Sequence, residues 1–301
     1  FIDLTSINFP DSVVSWSWDF GDGTSTTQNP THLYSADGTY NVSLTATSDN
    51  GSINTVVQSL IIYPVPAANF TAGNVCVYDT AVFTDASTIN APDNVVSWDW
   101  DFGDGPPAGI SISQNTTYYY GLAGPYNVQL TVTSNNGCTD STLLSIEIYP
   151  LPVMSFTSDT SSGCEPLCVT FIDTTTISGG TISFWDWDFG DGNTSTEQNP
   201  ENCYTAIDVN TTRISTVTLI ATSSEGCVDT SASINMITVW PNPIAVFIAE
   251  PQPTTILNPV INFTDQSQGD TISWLWDFGD PTSSGTNTIQ HPVHEYPDTG
   301  T

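Results

Sequence analysis

Apolar and polar residues alternate along much of this chain. Val14, Trp16, Trp18 and Phe20 are separated by Ser15, Ser17 and Asp19, and Tyr40, Val42, Leu44 and Ala46 by single polar residues. A side-chain period of two puts the apolar set on one face of a strand and the polar set on the other. Turn signals bound these stretches. Gly21-Asp22-Gly23 closes the first, and Asn50-Gly51, with Asn136-Gly137 as its copy, marks a hairpin between two more. The pattern predicts short antiparallel strands joined by tight turns, and an all-β chain.

The pattern repeats. The string W-D-F-G-D starts at Trp18, Trp100, Trp187 and Trp276, at intervals of 82, 87 and 89 residues. Phe1-Ile2-Asp3, Phe83-Thr84-Asp85, Phe171-Ile172-Asp173 and Phe263-Thr264-Asp265 keep the same phase upstream. Gln28-Asn29-Pro30 recurs as Gln198-Asn199-Pro200 and loosely as Gln290-His291-Pro292. A period of this length exceeds a solenoid repeat and fits a whole small β-sandwich of about seven strands. Pro64–Pro66, Pro150–Pro152 and Pro241–Pro243 punctuate the ends. The expected repeats are therefore 1–64, 65–150, 151–241 and 242–301. Repeat 1 is expected to lack its first strand and repeat 4 its C-terminal strands, as in a slice of a longer array.

The succession W-D-F-G-D-G, N-P-x-H-x-Y and G-x-Y-x-V-x-L-T, complete from Trp18 to Thr45, resembles the signature of PKD domains. The resemblance covers nearly the whole chain. Repeat 2 departs from it at Gln114-Asn115-Thr116-Thr117-Tyr118, repeat 3 at Arg213-Ile214-Ser215 and repeat 4 at Pro281. It implies tandem immunoglobulin-like β-sandwiches in an extended array, similar to the stalks of large bacterial surface adhesins. The implied function is non-enzymatic: a rigid acidic spacer on the cell surface, serving adhesion or gliding. Its partners are then the neighbouring PKD repeats and a surface, glycan or protein ligand that the sequence does not identify. Two rivals stand beside it: accessory modules of a secreted glycanase or protease, and a self-assembling filament subunit.

Charge narrows the partners. The chain carries 32 Asp plus Glu against one basic residue, for a formal net charge of −31. Nucleic acid is excluded, because phosphate binding needs Lys and Arg. No apolar run approaches the ~20 residues that span a bilayer. Nine Trp, eleven Tyr and thirteen Phe argue against disorder.

Six cysteines suggest disulfides and an oxidising compartment. Cys76 and Cys164 precede their motif Trp by nearly equal distances, and Cys138 and Cys227 follow theirs likewise. Repeat phase therefore predicts Cys76–Cys138 and Cys164–Cys227, leaving Cys168 to pair with Cys203. Each bridge should contribute roughly 3–4 kcal/mol on the chain-entropy view.

Two carboxylate triads, Asp99, Asp101 and Asp104, and Asp186, Asp188 and Asp191, have two readings. They cap turns, or they chelate Ca²⁺ through closely spaced oxygens. The resemblance adds weight to the second, since some PKD-type domains of collagenases bind Ca²⁺. No cofactor is otherwise required. His32 and His294 fall at the histidine of N-P-x-H-x-Y, which implies a structural role; His291 and His294 also spell H-x-x-H. Tyr118-Tyr119-Tyr120 must put at least one ring outward. The likeness to surface proteins of gliding bacteria further implies O-glycan acceptors where Asp precedes Ser or Thr and a small or aliphatic residue: Ser12, Thr80, Ser141, Thr174 and Thr271.

Overall fold

A computed structural model describes residues 1–106, 109–252, 259–280 and 287–296; Pro281 lies outside them. The chain forms two compact units, Phe1–Tyr149 and Pro150–Thr301. Among the described residues there are strands and no α-helix, and so no helix long and apolar enough to cross a membrane.

In the first unit, repeat 1 contributes β1 (Val13–Asp19), β2 (Thr24–Ser25), β3 (Gly38–Ser48) and β4 (Ile53–Ile62). They form one antiparallel sheet in the order β2-β1-β3-β4. Repeat 2 contributes β5 (Phe70–Ala72), β6 (Val75–Cys76), β7 (Thr80–Asp85), β8 (Val95–Asp101), β9 (Ile110–Ser111), β10 (Thr116–Tyr119), β11 (Gly124–Ser134) and β12 (Thr139–Tyr149). A three-stranded sheet, β10-β7-β5, faces a five-stranded one, β6-β12-β11-β8-β9.

The second unit repeats this plan. Repeat 3 has β13 (Phe156–Ser158), β14 (Ser162–Cys164), β15 (Leu167–Asp173), β16 (Ile182–Asp188), β17 (Thr194–Ser195), β18 (Glu201–Tyr204), β19 (Arg213–Ser223) and β20 (Val228–Trp240). Its sheets run β13-β15-β18 and β14-β20-β19-β16-β17. Repeat 4 shows β21 (Phe247–Glu250), β22 (Val260–Asp265) and β23 (Val293–Glu295) in one sheet.

The alternation read from the sequence places the core. Trp100, Phe102, Val128, Leu130 and Val132 are buried in repeat 2, and Trp187, Phe189, Val217, Leu219 and Ala221 in repeat 3. The motif glycine is forced at two positions. Gly103 and Gly190 have φ of +74° and +72°, and a Cβ there would sit 2.3 Å from the carbonyl oxygens of Asn127 and Thr216. Only glycine combines that dihedral with that approach. Arg213, the one basic side chain, opens β19 and donates its Nε to the Thr205 carbonyl at 2.6 Å.

One strand runs against expectation. β6 pairs with β12 in parallel, with Cys76 beside Tyr149 at the end of that strand, while Cys138 lies just before its start. At about 3.3 Å per residue, β12 separates the two cysteines by roughly 35 Å. In repeat 3, Cys164 registers with Trp240 while Cys227 precedes Val228 at the opposite end of β20, roughly 40 Å away. A disulfide needs Cα atoms within about 7 Å. The expected bridges Cys76–Cys138 and Cys164–Cys227 therefore do not form. Cys138 and Cys164 are free thiols, and Cys76 and Cys227 are disulfide-bonded, but not to these partners. Cys168 and Cys203 do pair: they lie directly opposite on β15 and β18, with Cα atoms 3.9 Å apart.

Candidate functional site

Two carboxylate hubs recur through the chain. The first is built on the Asp that ends the F-x-D marker. Asp85 Oδ2 accepts from the Trp98 indole at 2.9 Å and the Gln114 amide at 3.1 Å, while Oδ1 accepts the Ser87 backbone N–H at 2.9 Å. Asp3 holds Trp16, Gln28 and Thr5 in the same way. Asp173 holds Trp185, Gln198 and Thr175, and Asp265 holds Trp274, Gln290 and Ser267. The backbone N–H of each Asp is taken in turn by the residue after that Gln: Asn29, Asn115, Asn199 and His291 Nδ1. The Gln-Asn pair is thus a clamp on one aspartate.

Hydrogen bonding to the ionised form lowers a carboxyl pKa, and burial raises it. For Asp3 and Asp85 desolvation is the largest single influence, yet the donors together outweigh it and hold both groups below the ordinary value. At Asp265 the Ser267 donors lead and the result is the same.

The second hub is the Asp after the motif glycine. Asp22 meets His32 Nε2 at 2.6 Å, Asp104 accepts from the Tyr118 hydroxyl, Asp191 from Asn202 Nδ2 at 2.8 Å, and Asp280 meets His294 Nε2 at 3.2 Å. Tyr118 in repeat 2 and Asn202 in repeat 3 stand where repeats 1 and 4 have His32 and His294, and each keeps a partner for this carboxylate. His32, Tyr118 and His294 also stack on the motif phenylalanines Phe20, Phe102 and Phe278, at 4.2, 4.1 and 4.3 Å between ring centres. The bond to Asp104, then burial, push the Tyr118 hydroxyl up to about 12. Two residues on, Tyr34, Tyr120, Tyr204 and Tyr296 each donate to the carbonyl of the motif Phe.

The structure does not gather the expected Ca²⁺ ligands. Asp99 and Asp186 point outward and are exposed. Asp101 and Asp188 accept the backbone N–H of Gly103 and Gly190, each at 2.9 Å, which is the turn-capping reading. Asp104 and Asp191 serve the second hub. Among the described residues, the one group of three candidate ligand atoms within 4.8 Å is Cys168, Glu201 and Cys203, whose two sulfurs are bonded to each other. His291 and His294 serve different hubs rather than a shared metal.

Of the expected glycan acceptors, Ser12, Thr80, Ser141 and Thr174 are exposed. Thr271 differs from them: it is half-buried at the rim of a depression, and its Oγ1 is turned inward with no hydrogen-bond partner. Two open depressions lie in repeat 4, about 600 and 350 Å³, and neither is lined by a His or Cys.

The hubs were signalled in the sequence only as markers in phase. What the phase could not show is that the Gln-Asn pair, the Trp and the Asp, from three separate segments, meet at one aspartate.

Paired sheets with buried motif tryptophans define a tandem array of immunoglobulin-like β-sandwiches. The particular family follows from comparison: the PKD domain profile matches residues 2–62, 64–148, 150–239 and 240–301, and the chain belongs to the PKD domain family. It is 27% identical over 145 residues to the pre-pro-metalloprotease PrtV of Vibrio cholerae, covering 48% of this chain and 16% of that protein. It is 45% identical over 51 residues to a microbial collagenase of Vibrio alginolyticus, covering 17% of this chain and 6% of that protein. The chain thus matches only a small part of the curated relatives. Among solved structures, the PKD1 domain of the Vibrio cholerae metalloprotease PrtV is 32% identical, with 29% of this chain and 98% of that one covered and a TM-score of 0.25.

Proposed function

We propose that the chain is a non-enzymatic extracellular spacer, a run of PKD domains that carries load and sets distance in surface adhesion or gliding. The observation behind this reading is how the repeated polar side chains are spent. The aspartates and glutamines that recur in every repeat, and the histidines of repeats 1 and 4, are consumed in bonds that hold strands and turns together. Chemistry would leave such groups poised at a cleft; a load-bearing module ties them up. The Cys168–Cys203 bridge fits an oxidising, extracellular setting.

Pulling the chain between its ends by optical tweezers tests this. Complete sandwiches should unfold in discrete events. Reducing the chain should lengthen the repeat 3 event by the 35 residues enclosed by the bridge, roughly 120 Å of contour. Smooth low-force extension would overturn the spacer reading. A second reading, an accessory module of a secreted protease, is favoured by the identity of the relatives. Retention of the chain on insoluble collagen in a sedimentation assay would support it.

A further inference from the structure

We infer that repeat 2 carries a docking ledge for an arginine-bearing segment of a partner protein, formed by Tyr78 and Tyr119. Of the run Tyr118-Tyr119-Tyr120, the first ring is held by Asp104 and Phe102 and the third is buried. Tyr119 alone faces out, 54% exposed, and it is not isolated. Tyr78, from the turn between β6 and β7, is 59% exposed, and the two rings lie 6.1 Å apart at 29°.

Tyr78 is held in an unfavourable backbone conformation to be there. Its φ is +72°, where a bulky side chain is a strained outlier. The turn is fixed on both sides: Val77 is buried and donates to the Tyr149 carbonyl at 2.7 Å, and Asp79 N–H bonds the Cys76 carbonyl at 3.0 Å. Glycine or asparagine would suit that φ better. The fold itself does not require these rings. At the matching positions repeat 3 has Pro166 and Cys203.

The surroundings choose the occupant. The outward residues beside the ledge are uncharged: Thr80 opposite Tyr119, Val82 opposite Thr117, Thr84 opposite Thr71. Asp79, next to Tyr78 in the turn, is exposed. A net charge of −31 with a single Arg draws cations and repels anions, and the chain has no spare cation of its own to cover the rings. A guanidinium stacks on tyrosine and gains from both ring faces and Asp79. A neutral sugar gains nothing from that field.

The test uses the whole chain with ring-labelled tyrosine, titrated in an NMR tube with a short peptide bearing two arginines. A matched citrulline peptide and a neutral oligosaccharide serve as controls. The Tyr78 and Tyr119 ring signals should shift and saturate with the arginine peptide alone. They should do so at both about 0.15 M and about 1 M salt, although the screening length falls from ~8 to ~3 Å. Tyr119→Thr and Tyr78→Gly should each weaken binding by about fivefold, from the ~1 kcal/mol of one stacked cation. Tyr78→Gly should also melt no lower than the parent, which separates lost binding from lost folding. Shifts scattered over the carboxylates and erased by salt, or equal shifts with citrulline or sugar, would overturn the inference.

Discussion

Replacing Asp85 with Ala removes the acceptor of three donors at once. Trp98 Nε1 and the Ser87 N–H are partly buried and lose their partner, whereas the exposed Gln114 amide can return to water. Hydrogen bonds to charged groups contribute about 1.5–3 kcal/mol each, and a stranded buried donor costs about 1–3 kcal/mol. With two effective bonds, discounted for partial exposure, the expected loss is about 2–4 kcal/mol. A domain of this size loses about 4–8 °C of melting temperature per kcal/mol, so the repeat 2 transition should fall by roughly 10–25 °C. Calorimetry of the whole chain would show one component moving while the others stay. Hydrogen exchange would place the lost protection in β7 and β8 and leave β15 and β16 unchanged. Asp99→Ala, an exposed carboxylate one position away from the motif Trp, is the control. Equal costs for the two substitutions, within about 0.5 kcal/mol, would refute the hub as a source of stability.

Three further outcomes follow. Because the Asp3, Asp85 and Asp265 carboxyls are held below their ordinary value, their contribution is complete above the unfolded value near 4 and is lost as pH falls below it; acid titration followed by tryptophan fluorescence should show stability dropping there, less steeply in Asp85→Asn. Gly190→Ala should cost at least about 2–4 kcal/mol in repeat 3, combining a positive φ with a Cβ 2.3 Å from the Thr216 carbonyl, whereas Gly192→Ala, with nothing within 4 Å, should cost only its dihedral strain; parallel melts compare them. Peptide mapping without reduction should recover Cys168 joined to Cys203 and no peptide joining Cys76 to Cys138 or Cys164 to Cys227.

Much of the fold was legible in the residues because it rests on local rules. Alternation from Trp16 to Phe20 matched the buried face of β1, but Val14, read onto the same face, is exposed because a bulge between Val13 and Ser15 shifts the phase; W-D-F-G-D marked the strand that carries the motif Trp in each repeat. The cysteines show where such rules stop. Phase correctly found that Cys76 and Cys164 are equivalent, and likewise Cys138 and Cys227. Equivalence says nothing about which end of the sandwich a residue occupies. That depends on β6 and β14 running parallel to the last strand, a long-range pairing with no sequence period of its own. The second hub shows the converse. Tyr118 reads as a broken motif position, yet it restores a partner to the same carboxylate, as Asn202 does in repeat 3, which only the spatial meeting of β10 or β18 with the motif turn reveals.

Arg213 has a consequence for resistance to proteolysis. Enzymes that cut after basic residues find one such bond in 301 residues, and its side chain is bonded to Thr205 at the edge of a strand spanning Arg213–Ser223. A chain without lysine also offers amine-directed cross-linkers no side-chain amine. Such a surface is poorly digested by trypsin-like proteases and is not modified through lysine.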